Sequence, residues 1–257
     1  MSEFEEFLER EGRADSHQDL PCCHTTSAIN FIGVLRSKTL RQTLCNVFNR
    51  YRLYFFYGRP SYRLSPKEKE QKLFEYLPVC FVIHWSDLKI DGAAAFDTGA
   101  WEHITEHVTM HKGQKKENFL LEQLPSIKRL IDFFFASNYR YFEGKVKPFE
   151  KDHLMIDFDA NTYLKILNTD EGEIDNRVKT IELHVERDLV FPETPISTII
   201  VPERFLSHKA YGPLLRDIVS QDRSRILTYT PTDLKMTDYH SDVNSTFRDY
   251  LKEQKMI

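Results

Sequence analysis

The sequence predicts an α+β domain built on a mixed or antiparallel sheet with inserted helices. Three observations lead there. Short runs rich in β-branched, aromatic and aliphatic residues recur along the chain and gather in its second half. Helical patterns fall between them at irregular intervals, unlike the regular alternation of βαβ winding. The 257 residues, 41% apolar and 13% aromatic, are enough for one substantial core dominated by Phe and Tyr, so we expect a single domain over 1–257.

The strand-like runs are "DLPCCH", "RLYFFYG", "LPVCFVIHW", "HLMIDF", "VKTIELHV", "ISTIIVP" and "SRILTYTP", several bounded by Pro, Gly or Asp. The first precedes a helical pattern carrying Ile29, Ile32 and Leu35, with Thr26 or Ser27 as its N-cap. A further helix follows "FDTGA" with Trp101, Ile104 and Val108 on its stripe. The clearest runs from Ser126 to about Phe142, with Pro125 near its start and Ile127, Leu130, Ile131 and Phe134 in register. The stretch "DVNSTFRDYLKEQ" closes the chain as a helix, and "SPKEKEQK" and "HKGQKKEN" read as flexible. These patterns place a helical insertion around 97–145.

Composition narrows the function classes. No apolar run approaches the roughly 18 residues of a membrane span, and "MSEFEEFLEREG" is acidic and amphipathic, not a basic signal peptide. A soluble, cytoplasmic protein is expected. Cys22, Cys23, Cys45 and Cys80 contain no CxxC pair, so reduced thiols are expected. The net charge of −4 conceals an asymmetry. Residues 36–72 carry ten cations (Arg36, Lys38, Arg41, Arg50, Arg52, Arg59, Arg63, Lys67, Lys69 and Lys72) against Glu68 and Glu70. Such a block suits dinucleotide phosphates or a nucleic-acid backbone, or it pairs with acidic faces elsewhere on the molecule.

Three constellations carry chemistry. In "WEHITEHVTMH", His103, Glu106 and His107 stand in HxxEH order with His111 beyond. On a helix His103 and His107 face one way and suit a zinc ion, with Glu106 activating water as in a metallopeptidase. A polar helix face explains the same spacing. In "LYFFYGRPSYR", an aromatic strand runs into Gly58, followed by Arg59, Tyr62 and Arg63. A guanidinium binds phosphate and a tyrosine ring stacks on a planar heterocycle. In "DNRVKTIELHV", alternation puts Ile181, Leu183 and Val185 on one face and Val178, Thr180, Glu182 and His184 on the other. Glu182 therefore faces either solvent or a cleft.

Taken in order, "CHTTSAINFIGVLRSKTL", "YFFYGRPSYR" and "IELHV", with "AFDTGAW" and "STIIVPERF" beside them, resemble the ADP-ribosyltransferase superfamily over roughly residues 20–206. The resemblance implies an ADP-ribosyltransferase-like split sheet. It implies that NAD is the substrate, with no metal. His24 would hydrogen-bond the adenosine-side ribose with help from Thr25, Tyr57 or Tyr62 would stack on nicotinamide, and Arg59 would meet the pyrophosphate. Glu182 would stabilise the cationic nicotinamide ribose and accept a proton from the incoming nucleophile. Glu173, Glu186, Glu193 and Glu203 are the other carboxylates in range. Glu182 lacks the paired ExE arrangement of arginine-directed members, which disfavours an arginine acceptor.

With its basic block the chain resembles the bacterial toxin and phage-defence members that modify nucleic-acid bases. By that likeness, the basic block would draw single-stranded DNA or RNA as acceptor, and a neutralising antitoxin protein is a possible partner. A protein acceptor, NAD hydrolysis, a zinc hydrolase on the HxxEH helix and a non-catalytic nucleic-acid-binding module are the alternatives.

Overall fold

The computed structural model describes residues 1–45, 48–62, 68, 72–150, 154, 156–169, 176–232 and 235–257. The chain is α+β, with a mostly antiparallel sheet and helices inserted between its strands. Helix α1 (Glu3–Glu11) leads to strand β1 (Cys22–Ser27) and helix α2 (Ala28–Ser37). Strands β2 (Thr39–Leu40), β3 (Thr43–Cys45), β4 (Arg50–Tyr57), β5 (Pro78–Ile83) and β6 (Gly92–Ala94) follow. Then come helix α3 (Trp101–His107), strand β7 (Leu120–Leu121) and helices α4 (Pro125–Phe135) and α5 (Asn138–Phe142) within the stretch read as an insertion, and helix α6 (Phe158–Leu167) beyond it. Strands β8 (Glu182–Val185), β9 (Leu189–Val190) and β10 (Thr198–Pro202) come next. Helices α7 (Glu203–Ser207) and α8 (Tyr211–Ile218), strand β11 (Ile226–Tyr229) and helix α9 (Met236–Glu253) complete the chain.

The main sheet runs β11-β10-β5-β1-β4-β8-β6-β7, with β3 hairpinned onto the start of β4; among the described residues only β10 and β11 run parallel. Its centre is uneven. Strand β1 pairs with β5 along all six residues, Cys22 opposite Ile83 through Ser27 opposite Pro78. With β4 it shares only Cys22 opposite Tyr57 and Cys23 opposite Phe56. Beyond those two pairs the strands separate, and the His24 Nδ1–H donates to the Tyr54 carbonyl at 2.7 Å. A side chain thereby satisfies a backbone acceptor that the ladder no longer reaches.

Because side chains alternate along a strand, this register sorts the site. Thr25, Tyr54, Phe56, Glu182 and His184 share one face, and His24, Phe55, Tyr57 and Leu183 share the other. Phe31 of α2 packs edge-on against Phe81 of β5 at 5.6 Å on the His24 face. Around the insertion, Phe4 of α1 meets Phe119, Phe134 and Tyr163, and Phe96 stacks on Trp101. Each buried ring stabilises by roughly 1.5–3 kcal/mol through burial alone.

Several elements differ from the sequence reading, each for a local reason. "CCHTTS" is all strand, so His24 lies within β1, and Ser27 occupies the N-cap position without a side-chain cap bond. The buried stripe of α2 is Ala28, Phe31, Val34 and Leu35, while Ile29 is exposed. The expected long helix from Ser126 breaks at Ala136, whose φ of 63° is left-handed. Ser137 then caps α5 by accepting from the Arg140 N–H at 3.1 Å. "HLMIDF" forms no strand among its described residues: 154 is a turn, 156 a bend, and Phe158 starts α6. That helix buries Ala160, Tyr163, Ile166 and Leu167 on one stripe, and the Tyr163 hydroxyl donates to the Ala95 carbonyl. Most of "SPKEKEQK" lies outside the described residues, whereas 111–118 form a turn and the start of a short 3-10 helix.

All four cysteines are free thiols buried in the protein. Among the described residues no helix is long and apolar enough to cross a membrane.

Candidate active site

The separation of β1 from β4 opens a cavity of about 260 Å³ on the Glu182 face. That is near the lower end of ligand-site volumes, which start at roughly 300 Å³; it suits one planar group rather than a whole dinucleotide. Thr25 comes from β1, Cys45 from β3, Tyr54 and Phe56 from β4, and Ser61 and Tyr62 from the turn after β4. Asp97, Thr98 and Gly99 come from the turn after β6, and Arg177 and Glu182 from the approach to β8 and its first residue.

Glu182 is 2% exposed. The Thr98 hydroxyl donates to its Oε1 at 2.8 Å and the Thr98 N–H to its Oε2 at 3.2 Å. His184, two residues along the same strand face, lies with Nε2 at 2.7 Å from the same Oε1. Burial pushes the Glu182 carboxyl up to about 7, against the pull of the Thr98 and Asp97 hydrogen bonds and the Arg52 charge. Burial, with Arg52 beside it, pushes His184 down to about 3, so that imidazole is neutral in the folded protein. Arg52 Nη1 stands 3.2 Å from His184 Nδ1, and its Nε and Nη2 donate to Glu186 Oε1 at 2.9 and 2.8 Å.

Asp97 and Arg177 form a buried ion pair at 2.8 Å, and Asp97 Oδ1 also accepts the Gly99 N–H. This fixes the turn that delivers Thr98 to Glu182. Thr25 Oγ1 is buried and makes no hydrogen bond among the described residues. A buried hydroxyl without a partner inside a cavity is a place where a ligand atom gains a bond.

Of the residues singled out from the sequence, Thr25, Tyr62 and Glu182 line this cavity. His24 does not, because strand alternation turns it to the opposite face, where its ring lies 5.4 Å from Phe55. Tyr57 does not line it either: its hydroxyl accepts the buried Leu20 N–H at 2.9 Å and its ring abuts Trp85. Of the two tyrosines, Tyr62 is among the lining residues and Tyr57 is not. Gly58 separates them with a φ of +60°, where a Cβ would strike Leu20 Cδ1 at 2.3 Å, so the turn depends on glycine. Arg59 is 9% exposed and donates to the Lys179 carbonyl at 2.9 Å, tying the turn after β4 to the approach to β8. It is not among the lining residues. Arg177 supplies the cation there.

Among the other carboxylates, Glu186 is engaged by Arg50 and Arg52. Glu193 and Glu203 are exposed, and Glu173 lies outside the described residues. The basic block is partly neutralised in the fold: Lys38 pairs with Asp217, and Arg50 and Arg52 share Glu186. Arg63, Lys67 and Lys69 lie outside the described residues. His103, Glu106 and His107 gather on α3, with ligand atoms within 4.8 Å of one another. Glu106 and His107 are exposed, and none of the three lines the cavity.

Tyr62 stacks on His240 of α9 at 5.3 Å with an interplanar angle of 10°. Burial lowers His240 to about 4, and its Nε2 has no partner among the described residues. The folded state therefore holds His240 neutral while the unfolded chain takes up a proton near pH 6.5. The unfolded state gains protons first on acidification, so stability falls as pH drops from about 6.5 towards 4. His240→Phe, which keeps a ring against Tyr62, is expected to shrink the fall in melting temperature between pH 7 and pH 4.5. An equal fall in both proteins would exclude His240 as a source of acid sensitivity.

No family model matches the chain, and neither a curated protein nor a solved structure matches it. What the fold and the site define is an α+β protein with a buried, hydrogen-bonded carboxylate in a cavity between separating strands.

Proposed function

We propose that the chain is an ADP-ribosyltransferase that cleaves NAD and passes ADP-ribose to a nucleic-acid base. One observation carries the reading: Glu182 sits buried in a cavity bordered by Tyr54, Phe56 and Tyr62, where β1 and β4 part. Aromatic rings suit a planar heterocycle such as nicotinamide. Breaking the bond between the nicotinamide nitrogen and ribose C1′ leaves neutral nicotinamide and a cationic sugar. A fixed carboxylate stabilises that cation more than it stabilises the substrate. The acceptor nitrogen or oxygen then bonds to C1′, and its proton passes to Glu182 or to water. Thr25 offers its free hydroxyl to the bound substrate. Arg177 is the nearest lining cation for phosphate, held in place by Asp97. The acceptor assignment rests on the basic block, of which Arg41 and Arg50 are exposed.

The test is NAD labelled on its adenylate half, offered with single-stranded DNA, RNA or protein. Transfer of label to DNA or RNA is the expected result. Label on protein alone would replace the acceptor class, free ADP-ribose in every tube would indicate a hydrolase, and intact NAD throughout would overturn the reading. A second reading, zinc hydrolysis on α3, is favoured by the clustering of His103, Glu106 and His107. It requires activity that a chelator removes and that His103→Ala loses.

A further inference from the structure

The side chains behind Glu182 form a chain of bonds with only one consistent direction. A guanidinium has no acceptor, so where Arg52 Nη1 meets His184 Nδ1 at 3.2 Å the ring nitrogen accepts. A neutral imidazole that accepts at Nδ1 carries its proton on Nε2. That N–H donates to Glu182 Oε1 at 2.7 Å. Arg52 is itself fixed, because two of its nitrogens converge on Glu186 Oε1 and its guanidinium lies 4.7 Å from the Phe48 ring centroid. Little space remains for another ring position. Phe48 and Tyr54 stand edge-on at 5.5 Å, and a Cβ on Gly92 would come within 3.4 Å of Nδ1.

The same arrangement removes His184 from proton chemistry. Protonating Nδ1 would set a cation against the Arg52 guanidinium in a buried site. The ring remains a donor to Glu182, and the carboxylate keeps one rotamer, with Oε1 held by His184 and Thr98 and Oε2 by the Thr98 N–H.

We infer that His184, oriented by Arg52, is a positioning residue that holds Glu182 as an aligned carboxylate for NAD cleavage, an assignment that rests on the transferase reading above. Among the described residues, the charged and titratable groups around Glu182 are His184 on its own strand, Arg52 and Tyr54 on β4, Cys45 on β3, Tyr62 after β4, and Asp97 with its partner Arg177. Glu186 reaches it only through Arg52. His184→Phe keeps a ring and removes the donor, whereas His184→Gln keeps an N–H that can reach the carboxylate.

The experiment follows two readouts in the full-length protein. The first, the carboxyl ¹³C titration of Glu182, needs no activity. Its midpoint is expected to rise by about half a pH unit or more in His184→Phe and to return in His184→Gln, since a donated N–H favours the charged form. In parallel, the ¹⁵N shifts of His184 are expected to show the neutral Nε2–H ring from pH 5 to 8. An unmoved Glu182 midpoint, or a His184 ring that titrates near 6.5, would overturn the assignment. The second readout is NAD cleavage. His184→Phe is expected to lower kcat by about 100-fold, the scale of a small misplacement in a site, with KM within about 3-fold, and His184→Gln to recover most of it. Unchanged kcat in His184→Phe overturns the positioning role. A wild type that leaves NAD intact overturns the transferase reading instead, and the titration still decides whether His184 aligns Glu182.

Discussion

Glu182→Gln is expected to abolish NAD consumption while making the protein more stable above neutral pH. The loss should reach about 10³-fold, because the amide keeps the shape and an oxygen for the Thr98 hydroxyl but gives up the acceptor of the Thr98 N–H and the charge that meets the cationic sugar. The stability change has the opposite sign. With its folded value near 7 and an ordinary value of 4.5, Glu182 binds its proton more tightly in the folded protein. Wild-type stability therefore declines as pH rises from about 4.5 to 7, by a contribution on the order of 1–3 kcal/mol. The glutamine variant lacks that slope. Melting temperatures at pH 5 and pH 8, alongside NAD turnover, check both halves. A glutamine variant that still consumes NAD would remove Glu182 from the chemistry.

The second large effect belongs to the ion pair that shapes the turn after β6. Asp97→Ala removes a carboxylate from the buried Arg177 guanidinium and releases the Gly99 N–H. Breaking one side of a buried pair costs about 3–5 kcal/mol. For a chain of this size that is a fall of about 10 °C in melting temperature. Asp97→Ala combined with Arg177→Met should recover part of it, since the buried charge that lost the Asp97 carboxylate is removed too. Calorimetry on the single and double variants separates the outcomes; equal losses in both would show that the turn, not the charge, dominates.

Some of the site was legible from local pattern. Period-two alternation in "IELHV" placed Glu182 and His184 together, away from the apolar face, whereas "AFDTGAW" entered only through the family resemblance, with no role read for Thr98. What alternation cannot supply is which face of a neighbouring strand shares the cavity. His24 and Thr25 differ by one position, as do Phe56 and Tyr57, and one position reverses the side chain. The choice rests on long-range pairing of Cys23 with Phe56 and of Phe56 with Glu182. Strand β6, "GAA", has poor intrinsic strand preference and exists because β8 and β7 pair with it. Helix α6 carries Asn161, Thr162 and Tyr163, weak helix formers that packing overrides. Arg177 went unremarked because its partner Asp97 is eighty positions away, a contact no local pattern contains.

The two-pair junction between β1 and β4 has a mechanical meaning. The sheet behaves as two stiff panels, β11-β10-β5-β1 and β4-β8-β6-β7, joined along a short seam by Cys22 and Cys23. Bending at that seam would break few ladder bonds, so the sheet's own pairing resists least along the gap between the panels. Thr25 rides on one panel and Glu182 on the other. A ligand that grips both clamps the panels together, and part of its binding energy goes into stilling that motion rather than into tighter contact.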